Sequence, residues 1–388
     1  MAIIFLYKDL AEGETFALNQ LKATNKAFNI RFTEHDCDVG TFEFSLPADD
    51  LFCSRMQKNY IIGIDNTFFG IIRQAKQVIQ GNQNYVVVSG VDLKGYTQQR
   101  ITVYPASAIT SGLQGYDAIN NAYTETVVKY FINNNLINPR NSKRKIIGFE
   151  NAPDLHRGLA NDKYMSRFES LSEVCNKNLS VQNMGYRVNI DLANSKLLFD
   201  VSVGKNRTAN QSENNRVIFD VKYKNLIDME YFFSVQDYKN IFYSTLSKAR
   251  NEQEALTCMY YRDGEEEPIG SQRFEEHLNV SVNLPDADIY TYMKEYALKD
   301  ASKYEMVETL TASVADRYKY GIDYNLGDFV TVQARTGLFN QKLAQLDVQI
   351  KSITHTWTDT RIVRTLGFGN GKLSKFDILK RQIRNGGF

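Results

Sequence analysis

Residues 28–46 read FNIRFTEHDCDVGTFEFSL and alternate between apolar and polar side chains on both sides of Gly40. The apolar side chains that fall on one face are Phe28, Ile30, Phe32, Phe42, Phe44 and Leu46. A period of two residues is the period of a β-strand with one buried face. The stretch therefore predicts a hairpin of two antiparallel strands, with its polar residues in the turn.

Strand signals of the same kind continue outward from this hairpin. Residues 60–64 and 68–72 predict a second hairpin around Asp65-Asn66, and the apolar run 85–90 predicts a fully buried strand. Further strands are predicted at residues 186–190, 196–203, 217–221, 240–246, 258–261, 329–332, 348–353 and 362–366. Short antiparallel strands separated by turns are typical of small barrels and sandwiches. The chain is therefore predicted to be mainly β.

Two stretches in the middle of the chain change to a helical period. The apolar residues with this spacing are Ile119, Tyr123, Val127 and Phe131 in the first stretch, and Phe168, Leu171, Cys175 and Leu179 in the second. They predict two amphipathic helices, separated by an exposed Asn-rich and basic connection over residues 133–145. A third helix is predicted to begin at Pro285-Asp286 and to carry Ile289, Met293 and Tyr296 on one face.

The composition is that of a folded protein with several domains. A length of 388 residues suggests roughly two to four domains. Hydrophobic residues make up 43% and charged residues 23%, which fits neither a disordered chain nor a membrane protein. The net charge of +1 gives no electrostatic footprint for tight binding to nucleic acid or lipid. Because residues 3–7 are too short for a signal-peptide core, we expect synthesis in a cytoplasm and no membrane insertion.

The densest cluster of ligand-type residues is EHDCD at residues 34–38, which contains His35. It could bind a metal or form a Cys-His pair, but it lies in the predicted hairpin turn, where polar residues are expected without any ligand. The other histidines, His156, His277 and His355, stand alone in the sequence. The cysteines are far apart and are expected to be free thiols; they are Cys37, Cys53, Cys175 and Cys258.

Three more stretches carry weak signals for ligand binding. Residues 263–267, DGEEE, lack the alternating spacing of a calcium loop. Residues 367–371, GFGNG, lack the Lys and Ser/Thr of a phosphate loop. The cations of an Asn-rich loop could meet a phosphate, although such charges are usually solvated; they are Arg140, Lys143, Arg144 and Lys145. The sequence contains no GxSxG, HExxH or Walker motif. We therefore expect no catalytic residue, no cofactor and no metal.

Several short motifs follow one another in a definite order. They are GTFEFSLP at residues 40–47, FGII at 69–72, VSGVDL at 88–93, GKNRT at 204–208, VIF at 217–219 and YNLGDFVTV at 324–332. This order resembles that of the hub proteins of phage tails, both the tail-associated hubs of long non-contractile tails and the central hubs of contractile baseplates. The resemblance covers nearly the whole chain. In that family a Tyr-x-Leu-Gly-Asp-x-Val segment begins a barrel strand, and residues 353–367 would form the returning strands.

The turn Leu326-Gly327-Asp328 within the last motif also has a direct physical interpretation. Leu326 supplies a buried anchor, Gly327 can adopt a positive φ, and the Asp328 carboxylate can cap nearby backbone N–H groups. The three residues are predicted to fix a tight turn at the entrance to a strand.

The resemblance implies a mainly β fold with an α+β insert, made of two small antiparallel β-barrels and a mixed α/β domain. The implied boundaries are an N-terminal barrel over 1–100, an α/β domain over 101–214, a second barrel with an inserted helix over 215–370, and a C-terminal tail over 371–388. Such hubs are trimers in which two similar barrels per chain build a ring of six. Many relatives carry a C-terminal peptidase, lysin or receptor-binding module, which is not expected here because the chain ends at Phe388.

The implied function is a structural hub that joins the tail tube to the tip and closes or opens the DNA channel. Its implied partners are two further copies, a distal tail or tail tube protein above, a tip, fibre or tape-measure protein, and DNA in transient passage. The implied location is the virion tail tip, after synthesis in the cytoplasm of the bacterial host. Two alternatives remain: a cell-wall-degrading enzyme, which needs a carboxylate pair, a Cys/His pair or zinc, and a carbohydrate-binding adhesin, given the 23 tyrosines.

Overall fold

The computed structural model describes residues 2–8, 20–104, 116–246, 256–261, 267–280, 293, 297, 304, 307–315, 317–335, 343–358 and 361–369. The described strands, β1 to β21 in chain order, are Ile4–Tyr7, Gln20–Thr24, Phe28–His35, Thr41–Pro47, Ile61–Ile64, Phe68–Gln80, Gln83–Asp92, Asp117–Tyr123, Phe149–Asn151, Ala160–Ser166, Met184–Asp191, Lys196–Val203, Ile218–Asp220, Leu226–Ser234, Ile241–Leu246, Leu256–Tyr261, Glu275–Val280, Val307–Val314, Phe329–Arg335, Leu343–Trp357 and Ile362–Gly369. The described α-helices, α1 to α4, are Leu51–Arg55, Gly95–Gln98, Thr124–Ile132 and Leu171–Ser180. The protein is mainly β, as the sequence predicts.

The chain divides into two compact units. The first combines Met1–Met229 with Thr311–Gly369, and the second is built on Glu230–Leu310. The first unit therefore contains both the beginning of the chain and the segment with the Leu-Gly-Asp turn. The division into four parts at residues 100, 214 and 370 stays a prediction.

The main sheet of the first unit is built around the predicted hairpin. Strands β3 and β4 pair antiparallel with Phe32 opposite Phe42, and the second predicted hairpin forms between β5 and β6. The central strands follow the order β21-β20-β3-β4-β7-β6-β5-β1-β2. Strands from both ends of the chain thus share one sheet, because β20 pairs antiparallel with β3, with Thr354 opposite Thr33.

The two predicted barrels are not confirmed, since no sheet closes on itself within the described residues. Strand β20 shows why the sheet branches. Its first half pairs with β19, whereas its second half pairs with β3 on one side and β21 on the other. The single strand β20 therefore pairs with β19 in its first half and with β3 and β21 in its second half.

Strand β7 is less buried than the sequence predicts. Val88 is fully buried, but Val86 and Val87 are only half-buried. Successive side chains of a strand point to opposite faces, so Val86 and Val88 pack on one apolar core and Val87 lies on the other face. An apolar run does not distinguish this arrangement from full burial.

The first predicted helix is wrong in its first half. Residues 117–123 form strand β8, which pairs antiparallel with β10, and helix α3 begins only at Thr124. A spacing of four residues between Ile119 and Tyr123 fits a strand as well as a helix, because four is a multiple of the strand period. The second predicted helix is confirmed as α4, except that Phe168 precedes it with a positive φ of 56°.

The sequence predicts that the whole connection after α3 is exposed, but its first part is buried. Residues Asn133–Ile137 continue the helix as a π-helical turn, and Asn135 and Leu136 are buried in it. The Asn135 side chain donates to the carbonyl of Phe131 and accepts from the N–H of Val103. Most residues from 138 to 145 are exposed, and Ser142–Arg144 form a 3-10 turn.

Among its described residues, the first unit contains at least two apolar cores. One lies against the hairpin sheet and includes Phe32, Phe42, Phe44, Phe52, Ile62 and Val88. The other joins helices α3 and α4 to strands β11 and β12 and includes Val127, Phe131, Cys175, Leu179, Tyr186 and Phe199. Cys37 and Cys175 are buried free thiols and Cys53 is a half-buried one.

A buried ion cluster fastens α3 to the segment that follows it. The Glu125 side chain is fully buried and accepts from Lys129 Nζ at 2.6 Å and from Arg157 Nε and Nη2 at 2.8 Å each. Burial alone would raise the pKa of Glu125, but the hydrogen bonds from Arg157 and Lys129 lower it to about 2. Asp200, at 2.9 Å from Arg157, completes the cluster.

In the second unit, β15 lies between β16 and β17 and pairs antiparallel with the first and parallel with the second. Phe242, Leu278 and Ala297 form its small core. Of the helix predicted from Pro285, Met293 is helical and buried, and the other positions lie outside the described residues, as does the C-terminal tail. In the described part of the chain, no helix combines the length and apolar character needed to cross a membrane.

Candidate functional site

The Leu326-Gly327-Asp328 turn is buried and tightly bonded. Gly327 has a φ of +92°, the positive value that the sequence predicts, and Leu326 and Asp328 are both buried. The Asp328 carboxylate accepts from the backbone N–H of Asn325 at 2.9 Å, from that of Lys205 at 2.7 Å, and from Arg207 Nε at 2.8 Å. The carboxylate therefore caps two chain segments and neutralises a buried guanidinium.

The segment that meets this turn is the GKNRT motif at residues 204–208. A Cβ atom on Gly204 would lie 1.7 Å from the carbonyl oxygen of Gly327, so only glycine fits there. Phe329 N–H donates to the Lys205 carbonyl, and Arg207 N–H donates to that of Phe329. Two motifs that are more than a hundred residues apart in sequence thus form one structural element.

A third segment, the turn of the first hairpin, reaches the same place. A Cβ atom on Gly185 would lie 2.0 Å from Asp36 Oδ1, and Tyr186 N–H donates to the Asp36 carbonyl at 3.0 Å. Gly327 also approaches the Asp36 carboxylate, since an added Cβ atom would be 3.1 Å from Oδ1. We call Asp36, Gly185, Gly204, Arg207, Gly327 and Asp328 the junction, because they join three distant parts of the first unit.

Two side chains of strand β20, Gln349 and Lys351, also contact the junction. Gln349 Nε2 donates to the carbonyls of Gly327 and Asn183 at 2.8 Å each. Lys351 Nζ lies 3.5 Å from Asp36 Oδ2. Burial raises the pKa of Asp36, and the opposing charge of Lys351 lowers it only in part. The sequence shows none of these pairings.

Beside the junction lies a cleft of about 260 Å³. Its titratable lining residues are Glu34, His35, Asp92, Lys94 and Arg187, and its apolar lining includes Phe68, Phe69, Leu93, Val188 and Leu326. Two carboxylates and two cations give the lining no net charge when all four are ionised. Its volume lies below the roughly 300–1,000 Å³ of most ligand pockets.

The two carboxylates of the cleft have pKa values shifted in opposite directions. Burial raises the pKa of Asp92, which Lys94 lowers only in part. Burial would also raise the pKa of Glu34, but a hydrogen bond and the charge of His355, together with Arg187, hold it below its usual value. Such pairs can serve acid and base catalysis. Here both carboxylates also have structural partners, since Asp92 caps the Lys94 N–H and Glu34 accepts from Tyr320.

The remaining predicted candidates are scattered. His35 has a pKa lowered by burial and by Lys94, whose Nζ donates to its carbonyl. His355 is buried against Phe32, with ring centroids 4.3 Å apart. His156 pairs with Thr126, and His277 with Thr245.

The carboxylate run and the glycine-rich stretch form no site within the described residues. Residues 262–266 lie outside the described residues, and Glu267 pairs with Arg273. Residues 367–369 end strand β21, while 370 and 371 are outside the described part. In the described ranges, no three His, Cys, Asp or Glu side chains are grouped as a metal site requires.

Replacing Gly327 by valine is expected to lower the free energy of unfolding by about 1–3 kcal/mol, because its positive φ is strained for a β-branched residue. The measurement is denaturant unfolding of the parent and the variant. Gly321 is the matched control, since its φ is +87° and an added Cβ would meet no atom within 4 Å. Gly321→Val should show the backbone strain without the contact to Asp36. A Gly327→Val variant as stable as the parent would contradict the proposed role of the turn.

Comparison with known proteins identifies similar sequences and folds. The sequence model of the Siphovirus ReqiPepy6 Gp37-like protein family matches residues 17–370. No curated protein sequence matches the chain. The 43 kDa tail protein of prophage MuSo2 from Shewanella oneidensis has a similar fold, with 12% identity, a TM-score of 0.54, and coverage of 95% of this chain and 98% of that chain. The tail protein from Neisseria meningitidis MC58 is 11% identical, with a TM-score of 0.50 and coverage of 95% and 96%.

Proposed function

We propose that this chain, which belongs to the siphovirus ReqiPepy6 Gp37-like protein family, a family of siphovirus tail proteins, is the structural hub of a tail tip or baseplate. The observation that carries the proposal is the family match over residues 17–370. The similarity of fold to two tail proteins, one of them from a prophage, over nearly the whole chain supports it. The junction fits such a role, because its buried groups fasten segments that are distant in the sequence.

The proposed hub joins the tail tube to the tip and closes or opens the channel through which DNA leaves. It acts as a homotrimer, with a distal tail or tail tube protein above it and a tip, fibre or tape-measure protein as a further partner. Synthesis takes place in the host cytoplasm and the chain is then built into the virion tail tip. A closed cyclic trimer buries matching surfaces without leaving open ends.

Mass measurement over a concentration series tests the assembly. We expect trimers at high protein concentration, with monomers on dilution because neighbouring tail proteins can supply part of the interface. Stable dimers would contradict the homotrimer. Electron microscopy of virions labelled with an antibody against the chain tests the location, and label along the tube or on the capsid would contradict a hub at the tip.

A cell-wall-degrading activity is the second candidate, since the cleft contains two carboxylates with opposite pKa shifts. We expect no digestion of purified cell walls by the chain, because the partners of Glu34 and Asp92 account for both side chains. Glu34→Gln is the decisive variant. Reproducible turnover by the parent that is lost in Glu34→Gln would establish an enzyme and overturn the purely structural role.

A further inference from the structure

Two guanidinium groups lie together at the surface of the first unit. Arg100 follows helix α2, and Arg144 ends the 3-10 turn Ser142–Arg144. Arg144 Nη2 donates to the carbonyl of Ile101 at 2.6 Å and to Asn135 Oδ1 at 3.3 Å. Arg100 Nη2 is 3.5 Å from the Arg144 carbonyl. Contacts to backbone and amide oxygens thus hold both side chains in place.

No carboxylate among the described residues forms an ion pair with either guanidinium, although both are partly buried. Arg100 Nε is buried and has no hydrogen-bond partner among the described residues. Burial lowers the pKa of Arg100, and burial together with the charge of Arg100 lowers that of Arg144. Two like charges held together in this way cost free energy unless an anion compensates them.

The surroundings add positive charge. Lys143 and Lys145 flank Arg144 on the same turn and are exposed. Helix α4 begins next to Arg100, since Leu171 N–H donates to the Arg100 carbonyl at 2.8 Å. The nearest part of α4 is therefore its positive end. The carboxylate of Glu169, which precedes α4, is bound by Lys177 and Ser166.

We propose that Arg100 and Arg144 form a binding site for a phosphate group, with Lys143 and Lys145 as outer cations. Planar guanidinium groups bind phosphate oxygens through pairs of parallel hydrogen bonds, which point charges do not provide. The Nη1 and Nη2 atoms of Arg100 make only contacts of 3.5 Å, to the backbone carbonyls of Gln99 and Arg144, and so keep N–H groups for such a pair. The phosphate is either a free ion or part of a phosphodiester.

Inorganic phosphate is the first probe. Its affinity for the full chain is measured by calorimetry, and the thermal midpoint is compared in phosphate and in sodium chloride of equal ionic strength. We expect phosphate to raise the midpoint of the parent, and Arg100→Gln to weaken phosphate binding at least about tenfold. Arg140→Gln is the matched control, because Arg140 is exposed on the same loop, and it should leave the affinity within about twofold.

A second variant and a second probe complete the test. Arg144→Gln also removes the bond to Ile101 and can unfold the turn, so Arg100→Lys is added, which keeps the charge and loses the paired donors. It should bind phosphate more weakly than the parent and more tightly than Arg100→Gln. A 20-base-pair DNA duplex distinguishes the two sources of phosphate, and its affinity is measured over a range of salt concentrations. If the slope of log affinity against log salt concentration is smaller by about one in Arg100→Gln, the ligand is a nucleic-acid backbone. If the chain binds inorganic phosphate and this slope is unchanged, the ligand is the free ion. Equal behaviour in phosphate and chloride, or equal affinity of Arg100→Gln and the parent, would overturn the site.

Discussion

Replacing Asp328 by alanine is expected to lower the free energy of unfolding by about 3–5 kcal/mol. The variant leaves Arg207, whose side chain is 8% exposed, as a buried charge without its partner. It also removes the acceptor for the N–H groups of Lys205 and Asn325. Denaturant unfolding followed by circular dichroism measures the change.

Asp49→Ala is the matched control for this prediction, because Asp49 is exposed and should be replaced at a cost within about 0.5 kcal/mol. The double variant Asp328→Asn with Arg207→Met removes both charges and should recover part of the loss. If Asp328→Ala and Asp49→Ala unfold at the same denaturant concentration, the junction does not stabilise the unit as we propose.

The second large effect is expected for Glu125→Gln, which should cost about 3 kcal/mol. Glutamine keeps the shape of the side chain but removes the charge that neutralises the buried Lys129 and holds Arg157. Asp200 stays close to both cations but is 39% exposed, so it compensates only in part. Glu150→Gln is the control: its pair with Lys196 is exposed on both sides, and such pairs contribute about 0–1 kcal/mol.

The pH dependence gives an independent check on Glu125. Its pKa is about 2 in the folded protein and about 4.3 in an unfolded chain, so its ionised form stabilises the fold. That contribution is present above about pH 4.3 and is lost as the pH falls toward 2. Stability of the parent should therefore fall more steeply between pH 5 and 2 than that of Glu125→Gln. Parallel pH profiles would mean that the pKa of Glu125 is the same in the folded and the unfolded chain, and would contradict the stabilising ion cluster.

Some features of the fold follow from neighbouring residues alone. The alternation around Gly40 predicts β3 and β4 because a period of two matches only a pleated strand with one buried face. Gly327 predicts a positive φ because the left-handed region is strained for residues with a Cβ atom. The spacing of Ile119 and Tyr123 fits both the helical and the strand period, so the local pattern does not determine the secondary structure there. The segment is a strand because it pairs with β10.

The sequence by itself determined the mainly β class, the hairpins and the turn at Gly327, because these depend on residues close together in the chain. Only the tertiary structure decided that Asp328 pairs with Arg207, that Gly204 packs on Gly327, and that Arg100 lies beside Arg144. Each of these contacts joins two segments, and the hydrophobic pattern of either segment is compatible with packing against many other segments. Which partner is chosen depends on how the sheets and helices pack as whole surfaces, and hydrophobic periodicity carries no information on individual pairings across the core.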